Sequence, residues 1–138
     1  MNRKSITCSI PALLAAALLL TACADNRPAE EIVAERAQAR WDAMIAGEIE
    51  DGWAYYTPGY RQHTSARDLG YEVGRNPVQW LDAEVRKVEC DEERCQVSIS
   101  LEYQLTSGPA PLRRMPVRTP LTETWLQIDG RWWYSPQR

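Results

Sequence analysis

The sequence contains no phenylalanine and only one histidine, His63, and its longest apolar stretch, Ile10 to Leu20, is broken by Pro11. Each shortage excludes something. Eleven helical residues reach about 16 Å, roughly half of a hydrocarbon core, so that stretch is too short for a permanent membrane span. With one histidine, a metal centre built around the cysteines lacks further ligands. The chain carries 16 basic and 19 acidic residues, and this acidic balance argues against the clustered positive charge that a phosphate backbone requires. Nucleic acid is therefore not an expected partner, and no cofactor or metal is expected either.

What is present at the amino terminus has the order of a cleaved signal: Arg3 and Lys4, a short apolar core, then small residues before a cysteine. Leu20-Thr21-Ala22-Cys23 resembles the lipobox of bacterial lipoproteins without departure. The resemblance implies diacylglycerol on the Cys23 thiol, cleavage before it and acylation of the new amino group. The plain alternative is a secreted protein whose cysteine falls here by chance. Residues 1–22 are thus read as signal, 23–28 as an acylated tether and 29–138 as the folded domain. Two or more acyl chains, at about 0.8 kcal/mol per buried CH₂, hold a protein firmly on a bilayer. The membrane is then a partner through Cys23, which is an anchor without catalytic duty. By resemblance to lipoprotein sorting, an aspartate directly after the cysteine favours the inner membrane. Ala24 stands there and Asp25 follows, so the expected location is the outer membrane, facing the periplasm.

The 116 residues from Cys23 onward suffice for one domain with a real core. Cys8 leaves with the signal, so Cys90 and Cys95 remain as a pair in VECDEERCQV. Two cysteines flanking a four-residue polar turn between strand-like runs, in an oxidising compartment, read as a disulfide across a hairpin. A free or metal-bound pair is the alternative.

From Ala29 to Ala46 there is no proline or glycine, and Val33, Ala37, Trp41, Met44 and Ile45 form one apolar stripe, which predicts a helix ending at Gly47. A shorter helix is expected from Ile49 to Tyr56, broken by Thr57-Pro58-Gly59, and a third from the capping box Ser65-Ala66-Arg67-Asp68 to about Tyr71. After Asn76-Pro77 the period changes: Val97, Ile99, Leu101, Tyr103 and Leu105 alternate with polar residues as a half-buried strand, paired with Ala83 to Cys90. A Pro-rich connection, Ser107 to Pro116, leads to a strand from Val117 to Ile128 interrupted by Pro120. Asp129-Gly130 then signals a type I′ turn into a last strand, Arg131 to Tyr134. Helices followed by a four-stranded antiparallel meander predict an α+β domain with N-terminal helices packed on one face of the sheet.

The segments RWDAMIAGEIEDGWAYYTPGYR and ETWLQIDGRWWY resemble the NTF2-like superfamily, a cone of curved antiparallel sheet wrapped by helices, over Ala29 to Tyr134. Within it the chain is most similar to small bacterial lipoproteins of unassigned chemistry, in which a cysteine pair also closes a hairpin. Such folds host enzymes and non-enzymes. The enzymes use a Tyr with carboxylic acids, as in the ketosteroid isomerases, or an Asp and Arg set, as in the epoxide hydrolases. Here Asp82, Tyr103 and Glu123 are strand residues that could face the cone, with His63 near its mouth, yet none falls in a catalytic motif. The plainer readings make His63 a solvated loop residue before a helix and Glu123, between Thr122 and Thr124, an exposed strand position.

Six Trp and six Tyr supply all the aromatic rings, and every one follows Cys23. Rings with a polar edge suit either a filled core or the wall of a pocket. Trp80, Tyr103, Glu123, Trp125 and Trp132 are the candidate pocket residues, and adjacent Trp132 and Trp133 must point to opposite sheet faces. In SGPAPLRRMPVRTP, Arg113 and Arg114 lie between Leu112 and Met115 in a loop stiffened by prolines, a candidate partner-docking or head-group contact or else a plain mobile connection. Two functional classes follow. One is a non-catalytic lipoprotein module binding an envelope partner or small ligand, as similar domains do in secretion-system assembly. The other is a small pocket enzyme of the isomerase or hydrolase type.

Overall fold

The computed structural model describes residues 26–137; the expected signal segment 1–22, Cys23 and the side chain of Arg114 lie outside the described residues. Helix α1, Ala29–Ala46, opens with Glu30 and Glu31 in its first turn, where they complement the helix dipole. It ends at Gly47, whose φ of 79° lets the Gly47 and Glu48 N–H groups turn back to the carbonyls of Met44 and Ala43. Helix α2 spans only Ile49–Trp53. The expected continuation to Tyr56 fails because this segment is drawn onto the last strand: Tyr134 N–H donates to the Tyr55 carbonyl (2.8 Å) and Thr57 N–H to the Tyr134 carbonyl (2.9 Å).

Thr57-Pro58-Gly59, expected as the break after the second helix, also opens an unexpected helix α3, Pro58–His63. The Thr57 hydroxyl accepts from Tyr60 N–H, and proline fits the first helical position, where no N–H is needed. His63 is accordingly the exposed last residue of that helix and not a loop residue. Helix α4, Ala66–Arg75, carries the expected capping box between Ser65 and Asp68 and runs past the expected end near Tyr71 to Arg75; Asn76, before Pro77, is extended.

The sheet is the expected meander, β1 (Val78–Asp91), β2 (Arg94–Leu105), β3 (Val117–Ile128) and β4 (Arg131–Ser135), in the order β1-β2-β3-β4 and antiparallel throughout. Strand β1 starts five residues before the expected Ala83, and irregularities in pairing near Leu81 and Arg86 put it out of strict alternation. Pro120 sits inside β3 without ending it: β4 flanks β3 only from Thr124 to Ile128, so near Pro120 a missing N–H disturbs pairing on the β2 side at most. Asp129 and Gly130 have φ of 52° and 74°, the geometry of a type I′ turn.

One face of the sheet is buried under α1. Val97, Ile99 and Leu101 of β2, Ala83 of β1, and Trp125 and Trp132 of the last two strands close on Val33, Ala37 and Trp41. Each large apolar side chain so buried contributes about 1.5–3 kcal/mol. A smaller cluster of Met44, Tyr56 and Leu69 joins α1 to α4. Adjacent Trp132 and Trp133 do take opposite faces, and both are covered: Trp132 in the core, Trp133 beneath the guanidinium groups of Arg36, Arg61 and Arg131.

Cys90 and Cys95 are register partners and form the disulfide, with Cα atoms 4.0 Å apart. Closing so short a loop removes about 2 kcal/mol of denatured-state freedom. Urea unfolding of the wild-type domain is therefore expected to lose about that much stability on reduction. The Cys90→Ala/Cys95→Ala variant should start at the lower value and ignore reductant; a wild-type domain indifferent to reductant would remove the pinning role.

Candidate functional site

Where α1 crosses the sheet, two charges meet in the core. Arg40, two turns after the start of the apolar stripe, is 3% exposed, and Glu123 of β3 is 2% exposed. Arg40 Nη2 donates to Glu123 Oε1. Two indoles complete the carboxylate: Trp41 Nε1–H donates to Oε1 (3.0 Å) and Trp125 Nε1–H to Oε2 (3.3 Å). Burial pushes the Glu123 carboxyl above its usual range, and the Arg40 charge with the indole donors works against that rise. The expectation that Glu123 is an exposed strand position is thus corrected. It shares the inward parity of Leu121 and Trp125, and its register partner is the fully buried Val97.

The guanidinium of Arg40 is boxed by rings, 4.0 Å from the centroid of Tyr134, 4.8 Å from Trp41 and 5.7 Å from Tyr56. Tyr56 and Tyr134 meet edge to face at 4.8 Å. Burial raises both phenols above their ordinary range, outweighing the opposing Arg40 charge. Arg40 Nε is buried without a partner.

A recess of about 240 Å³ opens onto this group, with Trp80, Leu121 and Met44 as apolar wall and Glu72 and Asn76 of the α4 end among its lining. Trp80 stands edge-on to Trp41 at 5.3 Å. Larger hollows exist on the surface; this recess reaches the buried Arg40–Glu123 pair. It is smaller than the 300–1,000 Å³ typical of ligand clefts.

Of the candidate pocket residues, Glu123 and Trp80 line the recess, Trp125 lies behind the carboxylate, and Trp132 is core. Tyr103 is half-buried on the same sheet face, paired with Trp80, but is not part of the recess lining. Asp82 is a correction: the pairing irregularity after Trp80 turns it to the other face, where it is exposed 3.8 Å from Arg118. His63 lies in a separate hollow with Tyr60 and Ser135. Arg113 is exposed in the short 3₁₀ turn Leu112–Arg114, near Leu112 and Met115, which are 51% and 58% exposed.

Arg40, Tyr56 and Tyr134 escaped the sequence reading. The signal for Arg40 was its position three after Ala37 and four before Met44, inside the apolar stripe, facing a strand whose inward positions include one acid.

No known family profile and no curated protein matches this sequence. Among solved structures, it is similar to a SEC-C motif-containing protein of Rhodopseudomonas palustris, at 15% identity and a TM-score of 0.56 over 73% of each chain. It is also similar to an LEH-like epoxide hydrolase of M. tuberculosis, at 11% identity and a TM-score of 0.51 over 79% of each chain. The fold is an NTF2-like cone. In this cone the interior is largely occupied by indole and phenol rings around one neutralised ion pair.

Two measurements check the site. Removing Glu123 alone strands a buried guanidinium, so Glu123→Ala should lose about 3–5 kcal/mol in urea unfolding, whereas Arg40→Met/Glu123→Leu should recover most of it. Equal losses in both variants would mean that the charge pair is not the cause. For Tyr56 and Tyr134 the folded pKa is raised, so above pH 10 the unfolded chain releases protons that the folded chain retains. Stability should therefore fall as pH rises past 10. Tyr56→Phe/Tyr134→Phe should flatten that slope, and an unchanged slope would contradict the assignment.

Proposed function

We propose that this chain is a lipid-anchored protein of the bacterial envelope whose NTF2-like domain is a non-catalytic module binding an envelope partner or a small ligand. The observation that supports the non-catalytic half is the state of Glu123. Both its oxygens accept hydrogen bonds, from Arg40, Trp41 and Trp125, so the carboxylate is committed to holding α1 against β3 before any substrate arrives. A pocket enzyme needs a second converging acid or an uncommitted base, and the other carboxylate lining the recess, Glu72, is exposed on α4. The small recess suits a side chain or small ligand set between rings.

The anchoring half rests on the sequence around Cys23 and on the short connection, residues 23–28, to α1. Acyl chains at that thiol would hold the domain within about 20 Å of the bilayer, since six residues reach about 3.3–3.6 Å each. Localisation at the periplasmic face of the outer membrane follows from the residues after Cys23.

Labelling of cells with radioactive palmitate, followed by fractionation, tests the anchor. The wild-type protein should take up label and need detergent for release, and Cys23→Ser should do neither. An unlabelled wild-type chain washed out by salt would refute the anchoring. In-cell crosslinking from recess position Asn76 should give a discrete partner adduct in the anchored protein that weakens in Cys23→Ser.

A further inference from the structure

A second charged site lies away from the cone, on the outer side of α1. Arg36 and Arg131 border one open groove of about 660 Å³ whose lining includes the small side chains Ala39 and Ala43. Arg36 donates through Nε to the Trp132 carbonyl (2.9 Å), while its Nη2 is buried with no partner. Its guanidinium lies 4.9 Å from the Tyr55 centroid and 5.9 Å from that of Trp133, and Arg131 covers the same indole at 4.6 Å. No carboxylate bridges to either arginine within ion-pair distance among the described residues. Burial, and after it the neighbouring Arg131 charge, pull the Arg36 guanidinium below its usual range.

The same groove is bordered by Asp42 at the next turns of α1, and by Glu48 and Asp51 at α2. Six residues of helix separate Arg36 from Asp42, a rise of about 9 Å. The groove thus has a basic end and an acidic end along one helix. A simple anion would meet two positive charges and three negative ones; a ligand bearing both signs meets each at its own end.

We propose that this groove binds a small zwitterion, with a phosphate or carboxylate against Arg36 and Arg131 and a primary ammonium against Asp42, Glu48 and Asp51. Ethanolamine phosphate head groups and the termini of short peptides share that chemistry. The groove and the recess share no lining residue.

The Trp133 indole N–H is a built-in reporter in ¹H–¹⁵N spectra of the full chain in detergent micelles, titrated at constant ionic strength with O-phosphoethanolamine, glycylglycine or inorganic phosphate. At least one zwitterion should shift it saturably, and the tighter of the two identifies the acidic group as phosphate or carboxylate. Arg131→Gln and Asp51→Asn, both exposed positions whose fold can be checked by circular dichroism, should each weaken that zwitterion about fivefold, the loss of about 1 kcal/mol. Inorganic phosphate should bind more weakly than the zwitterion and be indifferent to, or helped by, Asp51→Asn. No saturable shift with either zwitterion, or undiminished binding in Arg131→Gln, would overturn the site. Inorganic phosphate binding as tightly as the zwitterion would overturn the ammonium end.

Discussion

The contact between Arg40 and Glu123 is the constraint around which the rest of the domain is arranged. It joins the long helix to the third strand at side chains that are 3% and 2% exposed, and each ion alone there would be strongly unfavourable. The surrounding rings follow from it. Two indoles donate to the carboxylate, two phenols and an indole lie against the guanidinium, and these same rings fill the space that an open cone would leave for a ligand. The charge pair and the aromatic filling are one solution to one problem, and a chain with no phenylalanine is suited to it, since every ring in the core carries a polar edge.

This arrangement separates what the fold offers from what the domain does with it. Solved structures of the same shape include a hydrolase, but shape alone transfers no chemistry. The Glu123 carboxylate accepts from three donors and ties helix α1 to strand β3. What the surface offers instead is polarity: a groove along α1 with arginines at one end and acids at the other, and a proline-stiffened loop bearing exposed Leu112, Arg113 and Met115.

Much of the architecture was legible in the residues. The error-free alternation from Val97 to Leu105 gave a strand and its buried face; Asp129-Gly130 gave the turn; the cysteine spacing gave the hairpin; Ser65 and Asp68 gave a helix start. Failures came where tertiary contacts override local preference. The segment after Trp53 left its helix to border β4, and Thr57-Pro58, expected only to end one helix, also started another, because a threonine cap and a proline at the first position suit a helix start as well as a stop. Local irregularity in β1 reversed the face of Asp82. Glu123 was misjudged because its neighbours Thr122 and Thr124 suggest a solvated strand, while parity with Leu121 and Trp125 pointed inward. Its partner stands 83 positions away, and the sequence does not show which helix face will cross that strand.

Hydrogen exchange at the indole N–H groups of Trp41 and Trp125 tests this account most directly. If the carboxylate of Glu123 is sealed between Arg40 and the two indoles, both protons should exchange only as fast as the domain unfolds globally, and Glu123→Gln should accelerate both. Fast exchange at either indole in the intact protein would show a carboxylate open to water, free for proton transfer, and would contradict a closed, non-catalytic interior.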